Sequence, residues 1–391
     1  MKIQQAKRLE SVTTYYFAKK LAEVTSLNAQ NKVQIINLGI GSPDLLPPKE
    51  VIDILKKTAD ETDANKYQSY KGQPSLRSAF AEWYDRHFGV RIIPDTEVLP
   101  LMGTKEGIMH IHMSLLNEGD EVLVPNPGYP AYRMTAALAG ASTVFYDLKS
   151  EENWLPNLEE LATKDLSKVK LMWINYPHMP TGSLADLDFY STLVAFAKKH
   201  QIIICHDNPY AFILNEKPIS ILQVPGAHDW CIELVSLSKC YNMAGWRVGA
   251  LVGHQNMINT VMKFKSNMDS GMYKPLQIAA TKALSMGQDW MDSLNKVYAR
   301  RKVIAQEIMH TLGAEYETDK VGMFVWAKIK HSDLTSADFC DQILYNADVF
   351  ITPGHIFGSN GEGYIRISLC SDEDTLRAAL DRIKTYKSKT T

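Results

Sequence analysis

Apolar positions along the chain follow two periods, and the change from one to the other marks out its elements. A helical spacing, with apolar residues three and four apart, runs through residues 14–27, 74–88, 105–116 and 187–200. Pro47 and Pro48 open another helix, with Val51, Ile52 and Leu55 on its apolar face. Residues 33–38 read as an extended segment. Short apolar runs rich in β-branched residues fall at 121–124, 142–146, 170–174, 202–205, 232–236 and 248–252. Runs of that kind are buried on both faces, as parallel strands are. Strands alternating with helices predict an α/β fold, a large domain with a mainly parallel sheet covered by helices. After about residue 275 the texture changes. A long helix over 290–312 precedes a strand at 322–329, a helix at 336–345 and strands near 349–351 and 363–369. Ser371 is expected to cap a last helix, with Asp372, Glu373 and Asp374 in its first turn, where the helix dipole favours anions. The expected organisation is an N-terminal arm (1–44) joined to the small domain, a large domain (45–275) and a smaller α+β domain (276–391).

Composition narrows the partners. The 391 residues carry 42 Lys and Arg against 44 Asp and Glu, a formal charge of −2, with no block of like charge. That balance argues against nucleic acid or a membrane surface as a partner. No apolar run approaches the roughly 20 residues that span a bilayer. The first residues, MKIQQAKRLESVTT, have no apolar core of the kind a secretory signal needs. Cys205, Cys231, Cys240, Cys340 and Cys370 show no C-x-x-C spacing, so neither a disulfide framework nor a metal site is expected. A reducing, cytoplasmic setting fits that usage.

Two short motifs point the wrong way. Leu38-Gly39-Ile40-Gly41-Ser42-Pro43-Asp44 begins like a dinucleotide fingerprint, but its third glycine is absent and Pro43 interrupts the helix that should follow. Ser236-Leu237-Ser238-Lys239 matches the S-x-x-K of β-lactamases, but the S-D-N and K-T-G partners occur nowhere.

The second decoy nevertheless lies in the most informative segment. A strand ends in Ser236, Ser238 and Lys239, and Arg247, two residues beyond Gly245, starts the next. A lysine held inside the protein past a strand end loses hydration. Its pKa falls, as a Schiff-base nucleophile requires. Upstream, Asp207 ends the wholly apolar run Ile202-Ile203-Ile204-Cys205, at the edge where open α/β sheets bind ligands. By themselves these residues leave open a surface lysine and a loop-capping aspartate.

Taken in order, the motifs resemble the class I/II aminotransferases of pyridoxal-phosphate fold type I. They are Gly103-Thr104-Lys105-Glu106-Gly107, Pro125-Asn126-Pro127-Gly128-Tyr129-Pro130, Pro180-Thr181-Gly182, Asp207-Asn208-Pro209-Tyr210, S-x-S-K-x-x-x-x-x-G-x-R-x-G from Ser236 to Gly249, and Tyr364-Ile365-Arg366-Ile367-Ser368. The resemblance covers nearly the whole chain. It implies pyridoxal 5′-phosphate as cofactor, covalently carried by Lys239. It implies that Asp207 pairs with the pyridine nitrogen, that Tyr210 donates to the phenolic oxygen and that Tyr129 lies against the ring. Gly103, Thr104, Lys105, Ser236, Ser238 and Arg247 would bind the phosphate, and Tyr67 would reach the phosphate held by a second subunit. A homodimer with shared sites follows. Arg366 would fork onto the substrate α-carboxylate, with Ile40 and Gly41 closing over it.

One position departs from the pattern. The family reads N-P-T-G, and here Met179 stands where that asparagine belongs. Methionine cannot donate a hydrogen bond, so either another group, such as Asn175, takes its place or the coenzyme's electronics differ. The expected activity is transfer of an amino group from an amino acid to a 2-oxo acid in two half-reactions. A carbon–sulfur β-lyase of the same fold is the alternative. Tyr15, Tyr16, Met272 and Tyr273 could line the substrate pocket or simply pack.

Overall fold

The computed structural model describes residues 3–10, 12, 16–30, 33–330 and 333–390. Thr14 and Tyr15, placed by the sequence at the start of the first helix and in the pocket, lie outside them. That helix is described over Tyr16–Gln30. It is followed by a two-residue strand, β1 (Ile36–Asn37).

Seven strands make the large sheet: β2 (Val98–Leu101), β3 (Glu121–Asn126), β4 (Ser142–Asp147), β5 (Val169–Ile174), β6 (Ile203–Asp207), β7 (Cys231–Ser236) and β8 (Gly249–Gly253). Their spatial order is β2-β8-β7-β6-β5-β3-β4. The pairs β3–β4, β3–β5, β5–β6 and β6–β7 are parallel, and β8 runs antiparallel to both its neighbours. β5, β6 and β7 are buried almost throughout, which is why they read as continuous apolar runs. β2 escaped the sequence reading because it is only four residues long and contains Pro100. It lies at the sheet edge, where a missing N–H is tolerated.

The helices Pro74–Phe88 and Leu187–His200 span the lengths expected. Pro130–Leu138, Gln255–Lys265 and Lys274–Leu284 are additional. Lys274–Leu284 packs against Lys49–Ala59 and Pro74–Phe88, on the large sheet's side of the molecule.

The last third of the chain builds a second sheet. β9 (Ala314–Tyr316), β10 (Phe324–Ile329), β12 (Thr352–Pro353) and β13 (Tyr364–Ser368) pair antiparallel in the order β12-β13-β10-β9, while β11 (Val349–Phe350) pairs in parallel with β1. The helices Gln288–Thr311, Ser336–Ala347 and Glu373–Thr390 accompany it. Asp372, not Ser371, caps the last of these: its carboxylate accepts the Thr375 N–H at 2.7 Å. Aspartate one residue nearer the helix reaches that amide directly.

These contacts also fix the glycine-rich segment after β1. Leu38 donates to the Phe350 carbonyl and accepts from the Ser368 N–H, and Thr352 donates to the Gly39 carbonyl. Arg301 grips Asp44 through two bonds of 2.7 Å. Ile40 and Gly41 are thereby held between the two sheets' territories rather than at the mouth of a nucleotide site.

Candidate active site

The strand ends of the large sheet converge on one cavity of about 490 Å³. Helix Tyr16–Gln30 contributes Phe17, Ala18 and Leu21 to its wall, and the second sheet's side contributes Phe324, Phe357 and Arg366. Of the candidates from sequence, Ile40, Gly41, Thr104, Lys105, Tyr129, Asp207, Tyr210, Ser236, Ser238, Lys239, Arg247 and Arg366 all line it. Met272 is buried in the core, Tyr16 packs against it, and Tyr273 is exposed; none of the three lines the cavity.

Lys239 is placed by a single helical turn, Leu237–Cys240, after β7. Ser236 starts that turn by accepting the Ser238 N–H on its hydroxyl at 3.2 Å. The Lys239 ammonium donates to the Gly41 carbonyl. Its pKa is held below the ordinary lysine range, first by burial and then by the like charges of Arg366 and Arg247, against an opposing pull from the Cys370 thiol. That direction favours a neutral amine.

Gly103 and Arg247 form the next corner. Gly103 precedes helix Thr104–Leu115 with φ of 86°, a conformation that suits glycine. A Cβ there would come within 2.1 Å of Arg247 Nη2. The guanidinium therefore lies against bare backbone at a helix N-terminus, with Nη1 bonded to the Ala244 carbonyl at 2.9 Å. The helix's first N–H groups, the hydroxyls of Thr104, Ser236 and Ser238, and Arg247 make a donor set suited to a phosphate.

Asp207 is the last residue of β6 and is 4% exposed. Its Oδ2 accepts from the Tyr132 hydroxyl at 2.9 Å. No donor among the described residues reaches Oδ1. Burial pushes the carboxyl up to about 6, while the Tyr132 bond and the nearby His206 act in the other direction. A buried carboxylate oxygen without a donor fits a protonated pyridine nitrogen. Tyr132 escaped the sequence reading because helix Pro130–Leu138 is short and was not among the helices expected. Pro130 at its first position was the available signal. Tyr132 stacks on Trp173 at 4.7 Å and meets Tyr129 edge-on at 5.6 Å, which holds the acid's donor in place.

Met179 does line the cavity, with its sulfur 3.2 Å from Arg366 Nη1. Asn175 also lines the cavity. Its amide donates to the Asp207 carbonyl and its oxygen accepts the Met179 N–H at 2.8 Å, so it braces the loop. Arg366 is 4% exposed, donates to the Gly39 carbonyl at 2.8 Å and lies 3.9 Å from the Phe324 ring centre. Tyr67 is 90% exposed and lines no part of its own chain's cavity.

The description "Aminotransferase class I and II" matches residues 33–383. The chain belongs to that family. Over 386 residues, 98% of this chain and 99% of the relative, it is 40% identical to an LL-diaminopimelate aminotransferase of Dehalococcoides mccartyi. A protein of the same description from Aquifex aeolicus is 41% identical over 382 residues, covering 97% and 98% of the two chains. Among solved structures, apo-BacF from Bacillus subtilis superposes with a TM-score of 0.95 at 37% identity, covering 98% of each chain. An aminotransferase from Staphylococcus aureus does so with 0.89 at 30%, covering 97% of this chain and 98% of that one. The protein is therefore a pyridoxal-phosphate-dependent aminotransferase of fold type I, moving an amino group from an amino acid to a 2-oxo acid. The lyase alternative finds no support among these relatives. Among the described residues, no helix is long and apolar enough to cross a membrane.

Proposed function

We propose that Lys239 carries the coenzyme, Asp207 faces its pyridine nitrogen and the Gly103–Arg247 corner holds its phosphate. The observation that supports this is the meeting of a buried lysine, a donorless carboxylate oxygen and a helix-terminal arginine in one cavity. When bound there, pyridoxal phosphate supplies an electron sink for the bond broken at the substrate Cα. The protein's own residues do the rest. Asp207 fixes positive charge at the ring nitrogen. Tyr210 donates to the phenolic oxygen and Tyr129 packs on the ring. Arg366 orients the substrate by its α-carboxylate, under Ile40 and Gly41, so that the Cα proton faces Lys239. A neutral Lys239 amine can then take that proton. Phe17, Phe324 and Phe357 keep water from it. Two domains, one around each main sheet, close over the substrate, and two copies of the chain share sites through Tyr67.

The substrate reading follows the relatives' description: LL-diaminopimelate as amino donor, with a 2-oxo acid as acceptor. A second reading rests on the walls. Phe17, Leu21, Ile40, Phe324 and Phe357 are apolar and suit an amino acid with an apolar side chain. Borohydride reduction of the holoenzyme followed by peptide mapping should place the pyridoxyl group on Lys239, and a label on another lysine would overturn the assignment. Coupled assays across amino donors should then give LL-diaminopimelate the highest kcat/KM. A tenfold preference for phenylalanine or leucine would favour the second reading.

A further inference from the structure

Behind the cavity lies a buried histidine–glutamate pair that the reaction as described does not use. His206 and Glu233 face each other across β6 and β7, directly in register. Both are 0% exposed. Successive residues of a strand point to opposite faces, so His206 lies behind the sheet while Asp207 faces the cavity.

Both nitrogens of the His206 ring meet acceptors. Nδ1 is 2.7 Å from Glu233 Oε2. Nε2 is 3.0 Å from the Tyr176 carbonyl, which can only accept, and 3.3 Å from the Tyr190 hydroxyl. Nε2 must therefore carry a proton. The second proton could rest on Nδ1 or on Glu233, and Glu233's other contacts decide between them. Its Oε1 accepts from the Tyr84 hydroxyl at 2.8 Å and the Ser220 hydroxyl at 2.9 Å, and its Oε2 accepts the Ile221 N–H at 3.3 Å. The Ser220 hydroxyl is itself an acceptor for the Leu222 N–H, which leaves its own proton for Glu233. Three donors converging on one carboxyl favour its ionised form. A buried ion pair survives only when its remaining polar atoms are satisfied, as they are here.

We propose that Glu233 and the Tyr176 carbonyl hold His206 as an imidazolium, and that its charge favours the neighbouring Asp207 as a carboxylate ready for a cationic ring nitrogen. His206 is next to Asp207 in the chain, Glu233 lies on the adjacent strand opposite His206, and His206 draws the Asp207 carboxyl down. Tyr132 bonds Asp207 from the other side, and its hydroxyl supplies no charge. His206 is thus a positioning residue that acts through Asp207. The inference rests on the assignment of Asp207 to the pyridine nitrogen, and the test separates the two.

Neutron diffraction from the apo-protein in heavy water should show deuterons on both Nδ1 and Nε2 of His206 and none on Glu233. A deuteron on Glu233, or a bare ring nitrogen, overturns the proposal whatever Asp207 does. Glu233→Gln removes the charge that retains the imidazolium proton while keeping shape. Apo-protein binding of pyridoxal phosphate should weaken about tenfold in this variant. Binding of the 1-deaza analogue, which has a carbon in place of the ring nitrogen, should change less than twofold. Equal weakening of both ligands would mean that Glu233 only supports packing, and would overturn the proposal. If Asp207→Asn likewise fails to discriminate between the two ligands, the assignment of Asp207 itself is wrong. Should Glu233→Gln not fold, His206→Gln offers the same comparison, and the neutron result needs no variant.

Discussion

A carboxyl buried at a strand end holds its proton more tightly than one in water, and Asp207 does so in the apo-protein, with a pKa of about 6 against an ordinary 3.8. The raised value means that protonation favours the folded state. Stability from this group is fully present below pH 4 and is lost as pH rises through 6. At pH 7.5 the ionised Asp207 therefore weakens the apo-protein by about 3 kcal/mol, two pKa units' worth. Asp207→Asn should raise the unfolding free energy of the apo-protein at pH 7.5, by up to that amount, and by less at pH 4. The same variant should lose at least a hundredfold in kcat. Denaturant titrations at the two pH values measure the first effect and a coupled assay the second. A destabilised variant would mean that Asp207 is a structural cap. The cost persists because the site needs the charge, a conflict between folding and function of the kind expected at active sites.

Local geometry decides how helix Thr104–Leu115 presents its N-terminus. Any side chain at Gly103 would occupy the space of the Arg247 guanidinium, at 2.1 Å from Nη2, and would strain a backbone at φ 86°. Gly103→Ala should therefore push Arg247 aside and weaken coenzyme binding by about tenfold, or roughly 1.4 kcal/mol. Fluorescence titration of the apo-protein with pyridoxal phosphate would measure it. An unchanged affinity would remove Arg247 from the phosphate set. At this scale the sequence was most readable where hydrophobic periodicity and flanking signals agreed, as in Pro74–Phe88 and Leu187–His200. It was least readable where signals conflicted. Pro130 follows a strand and starts a helix of only nine residues, and Pro100 masked an edge strand.

Assembly is a question for the whole molecule. Tyr67 is 90% exposed and lines no part of its own cavity, as a residue offered to another subunit would be. If sites are shared, Tyr67→Phe mixed with Lys239→Ala gives hybrid dimers with one site bearing both lesions and one bearing neither. After dissociation and reassociation, activity should exceed the sum of the two parents assayed alone. Activity equal to that sum, or an active monomer in sedimentation, would refute the shared site.

The alternation of strands and helices, the carboxyl-end location of Asp207 and the lysine after β7 were written in the sequence. Each depends on local periodicity or on residues adjacent in the chain. What the sequence could not give are pairings between distant segments. The bond from Tyr132 to Asp207, the Arg301 clamp on Asp44, and the place of Met179 beside Arg366 join residues 75, 257 and 187 positions apart. The same holds for the bonds by which Asn175 braces the loop that carries Met179. Only the folded chain sets which polar groups a buried side chain meets, and those partners determine its charge and therefore its chemistry.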